Sequence, residues 1–430
     1  MTVFKLPILT LGVAVLATPG FIHGAEVALA ESPPLTISGA GLTLSSALAE
    51  ALSQGPALRV IEAEMDAARG EILTAQTRPN DEISFTPGLK RTREAGDSSY
   101  EFKGTIAYTR TFLFAGKKEL LVSLAERNVE LRRLGIDGLR FQVSAAVREA
   151  FYELLAAQSI VSLRQQQIES AQTFQEAATK RAESGYASDF EAVKSQGDVI
   201  NAKKLLRAAE GQIAVARVEL NTLLGRSPSA PLEVAGTLDT DATLPSLPAL
   251  LALAEENNPS LRVQAMQAEI AGLNIRKARL ARKPDYSVGP SLEYSKSEQV
   301  VGVSVSIPLA GKNYGQGEIQ TASAEQRKAL AEADQLRREI AGAVTQAFTR
   351  LVTARDQRAL YTPAYLDQLK SVVAQAEQSY AQSATSLLIY LDAKRTYFDT
   401  LADYYEAIAD VATNQAALES AIGAPVPSTL

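Results

Sequence analysis

The sequence predicts a mainly α-helical chain with a transmembrane β part, made by duplicating one helix–strand–strand–helix–helix plan. Three observations carry that expectation. Short motifs return in the same order about 200 residues downstream. Apolar residues keep helical spacing along stretches far longer than an ordinary globular helix. Between those stretches lie segments in which apolar and polar residues alternate, giving each segment one apolar and one polar face.

The duplication is read from four matches. Pro56-Ala57-Leu58-Arg59-Val60 returns as Pro259-Ser260-Leu261-Arg262-Val263, and Ala146-Val147-Arg148-Glu149-Ala150-Phe151 as Ala343-Val344-Thr345-Gln346-Ala347-Phe348. Ala115-Gly116-Lys117 returns as Ala310-Gly311-Lys312, and Leu223-Leu224-Gly225 as Ala421-Ile422-Gly423. Each match alone is weak; their common order makes the set. The period is much longer than a solenoid unit, so the chain is a doubled architecture and not a repeat array. The expected organisation is a first repeat over 31–225, a linker over 226–248 rich in Pro, Ser, Thr, Asp and Gly, and a second repeat over 249–430.

Each repeat opens with a helix, Thr43 to Thr77 in the first and Ser246 to Arg282 in the second, with Thr43 as an N-cap. A long helix follows the strands. From Lys117 to Glu183 there is no proline, and Leu120, Leu124, Leu131, Leu134, Val143, Val147 and Leu154 fall at helical spacing. At 1.5 Å per residue that helix is roughly 100 Å long. Ser184-Gly185-Tyr186 breaks it, and a return helix runs from Asp189 to Leu224. The second repeat copies the plan over Gly315 to Gln382 and Ser386 to Ile422, with Pro363 expected to kink or interrupt its long helix. Two shorter helices end to end match one long helix, so stacking them beside it gives the long helix neighbours along its length. Abundant alanine suits close helix packing.

Four strands are expected, at about 81–90, 100–112, 285–295 and 300–309. In the second, Tyr100, Phe102, Ile106, Tyr108 and Phe112 share one face, against Glu101, Lys103, Thr105, Ala107, Thr109 and Thr111. In the fourth, Val301, Val303, Val305, Ile307 and Leu309 oppose Gly302, Ser304, Ser306 and Pro308. Tyr286, Val288, Leu292 and Tyr294 alternate with Ser287, Gly289, Ser291, Glu293 and Ser295; Ile83, Phe85 and Leu89 alternate with Ser84, Thr86 and Gly88. Strands of this length cross a bilayer when tilted, with lipid against one face and water against the other. A sheet covered by helices on both sides would not carry such hydrophilic polar faces. Four strands close no barrel, and lipid tolerates no open edge, so spanning strands require several chains to share one barrel. Eight strands from two chains leave a filled interior, whereas twelve from three leave room for a channel.

Composition excludes much chemistry. The chain of 430 residues has no Cys, and its one His is His23. There is no thiol nucleophile, no thiolate metal site and no lipid-modified N-terminal cysteine. Methionine is confined to Met1, Met65 and Met266, and a net charge of −6 offers nucleic acid no basic face. No clustered carboxylate motif, phosphate loop or nucleophile elbow occurs; Gly311-Lys312 lacks the flanking residues of a P-loop. No catalytic residue, cofactor site or metal site is therefore expected. The N-terminus reads as an export signal over 1–30: Lys5, an apolar core from Leu6 to Ala17, then Ala28-Leu29-Ala30, with cleavage after Ala25 as the alternative.

The opening Leu42-Thr43-Leu44-Ser45-Ser46-Ala47-Leu48, the duplicated plan and the closing Ala416-Ala417-Leu418-Glu419-Ser420-Ala421-Ile422-Gly423 resemble the TolC family of outer-membrane efflux proteins over nearly all of the chain after the signal. Ser306-Ile307-Pro308-Leu309, Asn313-Tyr314-Gly315 with Ile319 and Ala322, and Pro79-Asn80-Asp81-Glu82-Ile83 are similar to its CzcC-like heavy-metal branch. The missing cysteine departs from the lipid-anchored members. The resemblance implies a homotrimer whose twelve strands form one outer-membrane barrel in lipid and whose helical hairpins form a periplasmic tunnel. It implies a periplasmic adaptor (membrane fusion protein), an inner-membrane pump of the RND type, and heavy-metal cations or drugs as cargo, with no chemistry done by the chain itself. A duct for type I protein secretion shares the architecture and is the alternative; a periplasmic adaptor would carry one hairpin, not two.

The resemblance also implies a gate at the helix–helix turns farthest from the barrel. There the family archetype uses a tyrosine, an arginine and acidic residues. Tyr380 matches the tyrosine, Asp392 the inner acidic position and Glu191 the acidic position of the first repeat. Thr385 stands in place of the arginine and Ile389 in place of a second aspartate. Three-fold symmetry would triple each carboxylate into a ring that binds or selects cations.

Overall fold

The computed structural model describes residues 36–37, 41–94, 97–185, 188–237, 244–296, 298–309 and 314–426. The export signal lies outside the described residues, as does Ala310-Gly311-Lys312.

The first repeat begins with β1 (Thr36–Ile37), α1 (Leu44–Gln54) and α2 (Pro56–Gln76). Strands β2 (Glu82–Glu94) and β3 (Asp97–Phe112) follow, then α3 (Lys117–Glu183) and α4 (Asp189–Leu224). Between the repeats lies β4 (Gly236–Thr237), and the second repeat holds α5 (Leu247–Asn257), α6 (Pro259–Ala281), β5 (Tyr286–Ser295), β6 (Gln299–Ser306), α7 (Gln316–Ala359), α8 (Pro363–Ala381) and α9 (Leu387–Ile422).

The opening helix of each repeat is two helices where the sequence reading has one. Gly55-Pro56 separates α1 from α2, and Asn258-Pro259 separates α5 from α6. Proline has no N–H to give to the preceding turn and is at ease as the first residue of a helix. The α6 start is capped: the Asn258 side chain accepts from Ser260 N at 2.9 Å and donates to the Ala421 carbonyl at 2.9 Å. Thr43 caps α1 and exchanges hydrogen bonds with Ser46. Pro363 interrupts the second long helix completely: α7 ends at Ala359, and Thr362 caps α8 by accepting from Tyr365 N at 3.2 Å.

α3 is the spine, a continuous helix of 67 residues over the span read from the sequence. α2 lies beside its first part and α4 beside its last, while α6 and α9 pack against other sides of it. α7 packs on both α6 and α9, and α8 on α9. Two cores sit where the stacked helices change over. Ala47, Ala51, Val147, Phe151, Leu154 and Leu220 form one; Leu250, Val344, Leu351, Val411, Leu418 and Ile422 form the other. Val147 and Val344, equivalent in the duplicated motif, are both fully buried. The stretch between repeats is more ordered than a plain linker: β4 pairs with β1, and Leu42 bridges Val234. Leu232 and Val234 belong to the first core.

The sheet has the order β2-β3-β5-β6, all antiparallel. Its register settles which residues share a face. Phe85 pairs with Ile106, Ile106 with Leu292, and Leu292 with Val301. Leu89, Phe102, Val303 and Val305 lie on that same face, and it is uncovered: Leu89 is 73% and Val301 79% exposed. The opposite face carries Thr86, Lys103, Thr105, Ser291, Glu293 and Ser304, with Lys103 and Glu293 ion-paired at 2.5 Å. Where strands meet helices, Asp81 accepts from Arg110 at 3.1 and 3.0 Å and from the Tyr108 hydroxyl. Asp285 accepts from Lys117 Nζ at 2.9 Å and from Phe114 N at 2.7 Å. No helix among the described residues is long and apolar enough to cross a membrane.

Candidate functional site

The ends of the two hairpins α3/α4 and α8/α9 meet far along the chain from the sheet. Gly185, with φ +77, turns α3 out, and Asp189 and Glu191 fill the first turn of α4, where a helix favours negative charge. Ser383, at φ 57, turns α8 toward α9, and Ser386 caps α9.

Two of the three sequence-expected residues come together. The Tyr380 hydroxyl donates to Glu191 Oε2 at 2.5 Å, tying α8 to the start of α4. Burial and the Glu191 carboxylate push the phenol up to about 12, so it remains a donor at all physiological pH. The Tyr380 ring stacks on Tyr390 at 5.9 Å with 9° between planes, and Phe174 of α3 meets both rings, at 5.5 and 4.9 Å. Leu387 and Leu391 complete this apolar knot.

The third residue, Asp392, stands apart. It is exposed in a groove between α4 and α9, with Lys194, Asp198, Asn201, Ile389 and Arg395. Thr385, where the archetype has arginine, leaves no gap in cationic contact. The Arg181 guanidinium of α3 lies 5.1 Å from the Tyr380 ring centroid instead. A cation therefore touches this tyrosine, supplied by the other hairpin.

Sequence reasoning missed Lys394, Asp198 and Glu377. Lys394 is 4% exposed beneath the knot, with Asp198 of α4 and Glu377 of α8 as its nearest opposite charges. One signal could have found it. Leu387, Tyr390, Leu391, Lys394, Tyr397, Phe398 and Leu401 form one apolar stripe of α9, and lysine occupies a core position in it. The carboxylates had no comparable signal, because only the tertiary packing brings α4 and α8 to that lysine. Among the described residues no group of three or more His, Cys, Asp or Glu could hold a metal ion.

A sheet with an apolar outer face and a polar inner face, carried on two helical hairpins that close against each other, defines a membrane channel subunit. The sequence matches the family described as Outer membrane efflux protein over residues 47–226 and 250–424. The chain belongs to that family, and it is an outer-membrane efflux channel subunit. It is 27% identical to the cobalt-zinc-cadmium resistance protein CzcC of Cupriavidus metallidurans over 409 residues, covering 92% of this chain and 94% of the relative. The fold is similar to that of CusC, with a TM-score of 0.72 and 17% identity, covering 94% of this chain and 99% of that one. It is equally similar to the Campylobacter jejuni CmeC outer membrane channel, with a TM-score of 0.72 and 14% identity over 97% and 95% of the two chains.

Proposed function

We propose that three copies of this chain form one duct that carries divalent metal cations from an inner-membrane pump and its periplasmic adaptor to the cell exterior. One observation carries the assembly. β2 and β6 are the outer strands of a four-stranded sheet whose apolar face is exposed. Unpaired strand edges do not survive in lipid, so other copies must complete the ladder. Twelve strands enclose water; eight are filled by their own side chains. The pump supplies energy and selection, and the duct supplies a path. The relative named for cobalt, zinc and cadmium resistance supports metal cations as cargo. Tyr380 and Glu191 hold the tunnel end shut, and Asp392 contributes to a cation-binding ring inside it.

The test is the native mass of the detergent-extracted complex, with single-channel recording on the same preparation. Three chains with cation-dependent conductance are the expected result; a water-soluble monomer without conductance would end the duct reading. For cargo, deleting the coding sequence should sensitise cells to cobalt, zinc or cadmium, while unchanged sensitivity to all three would redirect the assignment to other exports.

A further inference from the structure

Lys394 lies where α3, α4, α8 and α9 converge, and its Nζ has no hydrogen-bond partner among the described residues. Lysine is almost never buried unless paired, because removing an ammonium from water is costly. Here it rests on rings, with Nζ 5.6 Å from the Tyr390 centroid and 5.9 Å from that of Phe174. Each helix offers it something different. α3 contributes the Phe174 ring, and α4 contributes Asp198 with Lys194 beside that carboxylate. α8 contributes Glu377, and α9 the Tyr390 ring, on which Tyr380 of α8 stacks in turn. Neither carboxylate hydrogen-bonds the ammonium.

We propose that Lys394 is a positioning residue for the Tyr380–Glu191 contact, acting through the Tyr390 ring, and that its proton sets how firmly the two hairpin ends hold together. This rests on the gate reading above. The physical path is short: Lys394 underlies Tyr390, Tyr390 stacks on Tyr380, and Tyr380 donates to Glu191 on the other hairpin.

The direction follows from solvation. A buried ammonium without a hydrogen bond favours any arrangement that lets water reach it. Burial outweighs the pull of Asp198 and Glu377 and lowers the amine from 10.5 to about 8. Parted hairpins therefore bind a proton that joined hairpins release. As pH rises from about 8 toward 10.5 the joined arrangement gains, by up to about tenfold per unit in the joined-to-parted ratio. Burial pushes the Asp198 and Glu377 carboxyls up, so they retain protons in the joined arrangement. Acid therefore also favours joining, and parting is easiest between the two windows.

The chain has no cysteine, so label pairs can be placed cleanly. Spin labels at Glu183→Cys and Gln382→Cys occupy exposed positions on the two hairpin ends. In the intact detergent-extracted assembly, pulsed spin-resonance distances should shift reversibly toward the joined population between about pH 7 and about pH 10. Lys394→Met should lose the alkaline shift. Lys394→Arg keeps its charge at every pH and should hold the distribution seen near neutrality. A flat wild-type response, or a full alkaline response retained by Lys394→Arg, would overturn the inference. If Lys394→Met fails to assemble, the wild-type and arginine titrations decide the matter alone. Single-channel recording of Tyr380→Phe separates the two readings. If its conductance is unchanged while label distances still follow Lys394, the gate reading fails and the Lys394 coupling between hairpins stands.

Discussion

The Tyr380 hydroxyl gives Glu191 a charge-assisted hydrogen bond across two hairpins. Such bonds contribute about 1.5–3 kcal/mol, the lower end applying here because Glu191 is half-buried and water can replace its partner. Tyr380→Phe should thus raise the open-to-closed ratio roughly tenfold, seen as longer open dwells in single-channel records. The phenol loses its proton only near 12, so the hydroxyl itself remains a donor throughout the physiological range, and any pH response of the contact must come from other groups. Asp392 acts by charge instead of by bonding: Asp392→Asn should weaken block of the current by divalent cations, and unchanged block would remove it from the proposed ring. Tyr380 and Asp392 were singled out in the sequence by their match to the gate positions of the family archetype. Arg181 was not, because nothing in the α3 sequence reveals that its guanidinium meets a tyrosine about 200 residues away.

At the scale of elements, glycine decides two joints. Gly423 ends α9 at φ +80, and a Cβ there would stand 2.5 Å from Pro259 Cδ and 2.7 Å from Asn258 Cα. Gly423→Ala should therefore cost both backbone strain and packing, about 2 kcal/mol or more, read as a lower midpoint in helical circular dichroism. Gly289 is a different case: a Cβ would meet the Tyr108 carbonyl at 1.7 Å, so β5 can approach β3 only without a side chain there. Gly289→Val should abolish assembly of the native complex while leaving helix content largely intact. Helix ends at proline were legible in kind but not in effect. Pro56 and Pro259 were visible as a repeated motif, yet periodicity ran across them and suggested one helix where there are two. Apolar spacing reports which face is buried, not whether the backbone is continuous.

For the whole molecule, the two faces of the sheet make opposite predictions. Val303 is 72% exposed on the apolar face, and Val303→Lys should cost about 2–4 kcal/mol in lipid and lower the yield of inserted complex. Its neighbour Ser304 faces the other way, and Ser304→Lys should insert normally and shift conductance toward anion preference. Equal tolerance of both lysines would mean that the sheet does not face lipid.

The sequence by itself determined the doubled plan, the long α3 helix, the two faces of the four long strands and the absence of thiol chemistry. These depend on local spacing and composition, which a chain carries with it wherever it folds. Only the tertiary structure decided which carboxylates Lys394 meets, which cation touches Tyr380, and that β1 and β4 pair across the stretch between repeats. Those contacts join residues far apart in the chain, and their energies depend on burial that no single helix or strand creates alone.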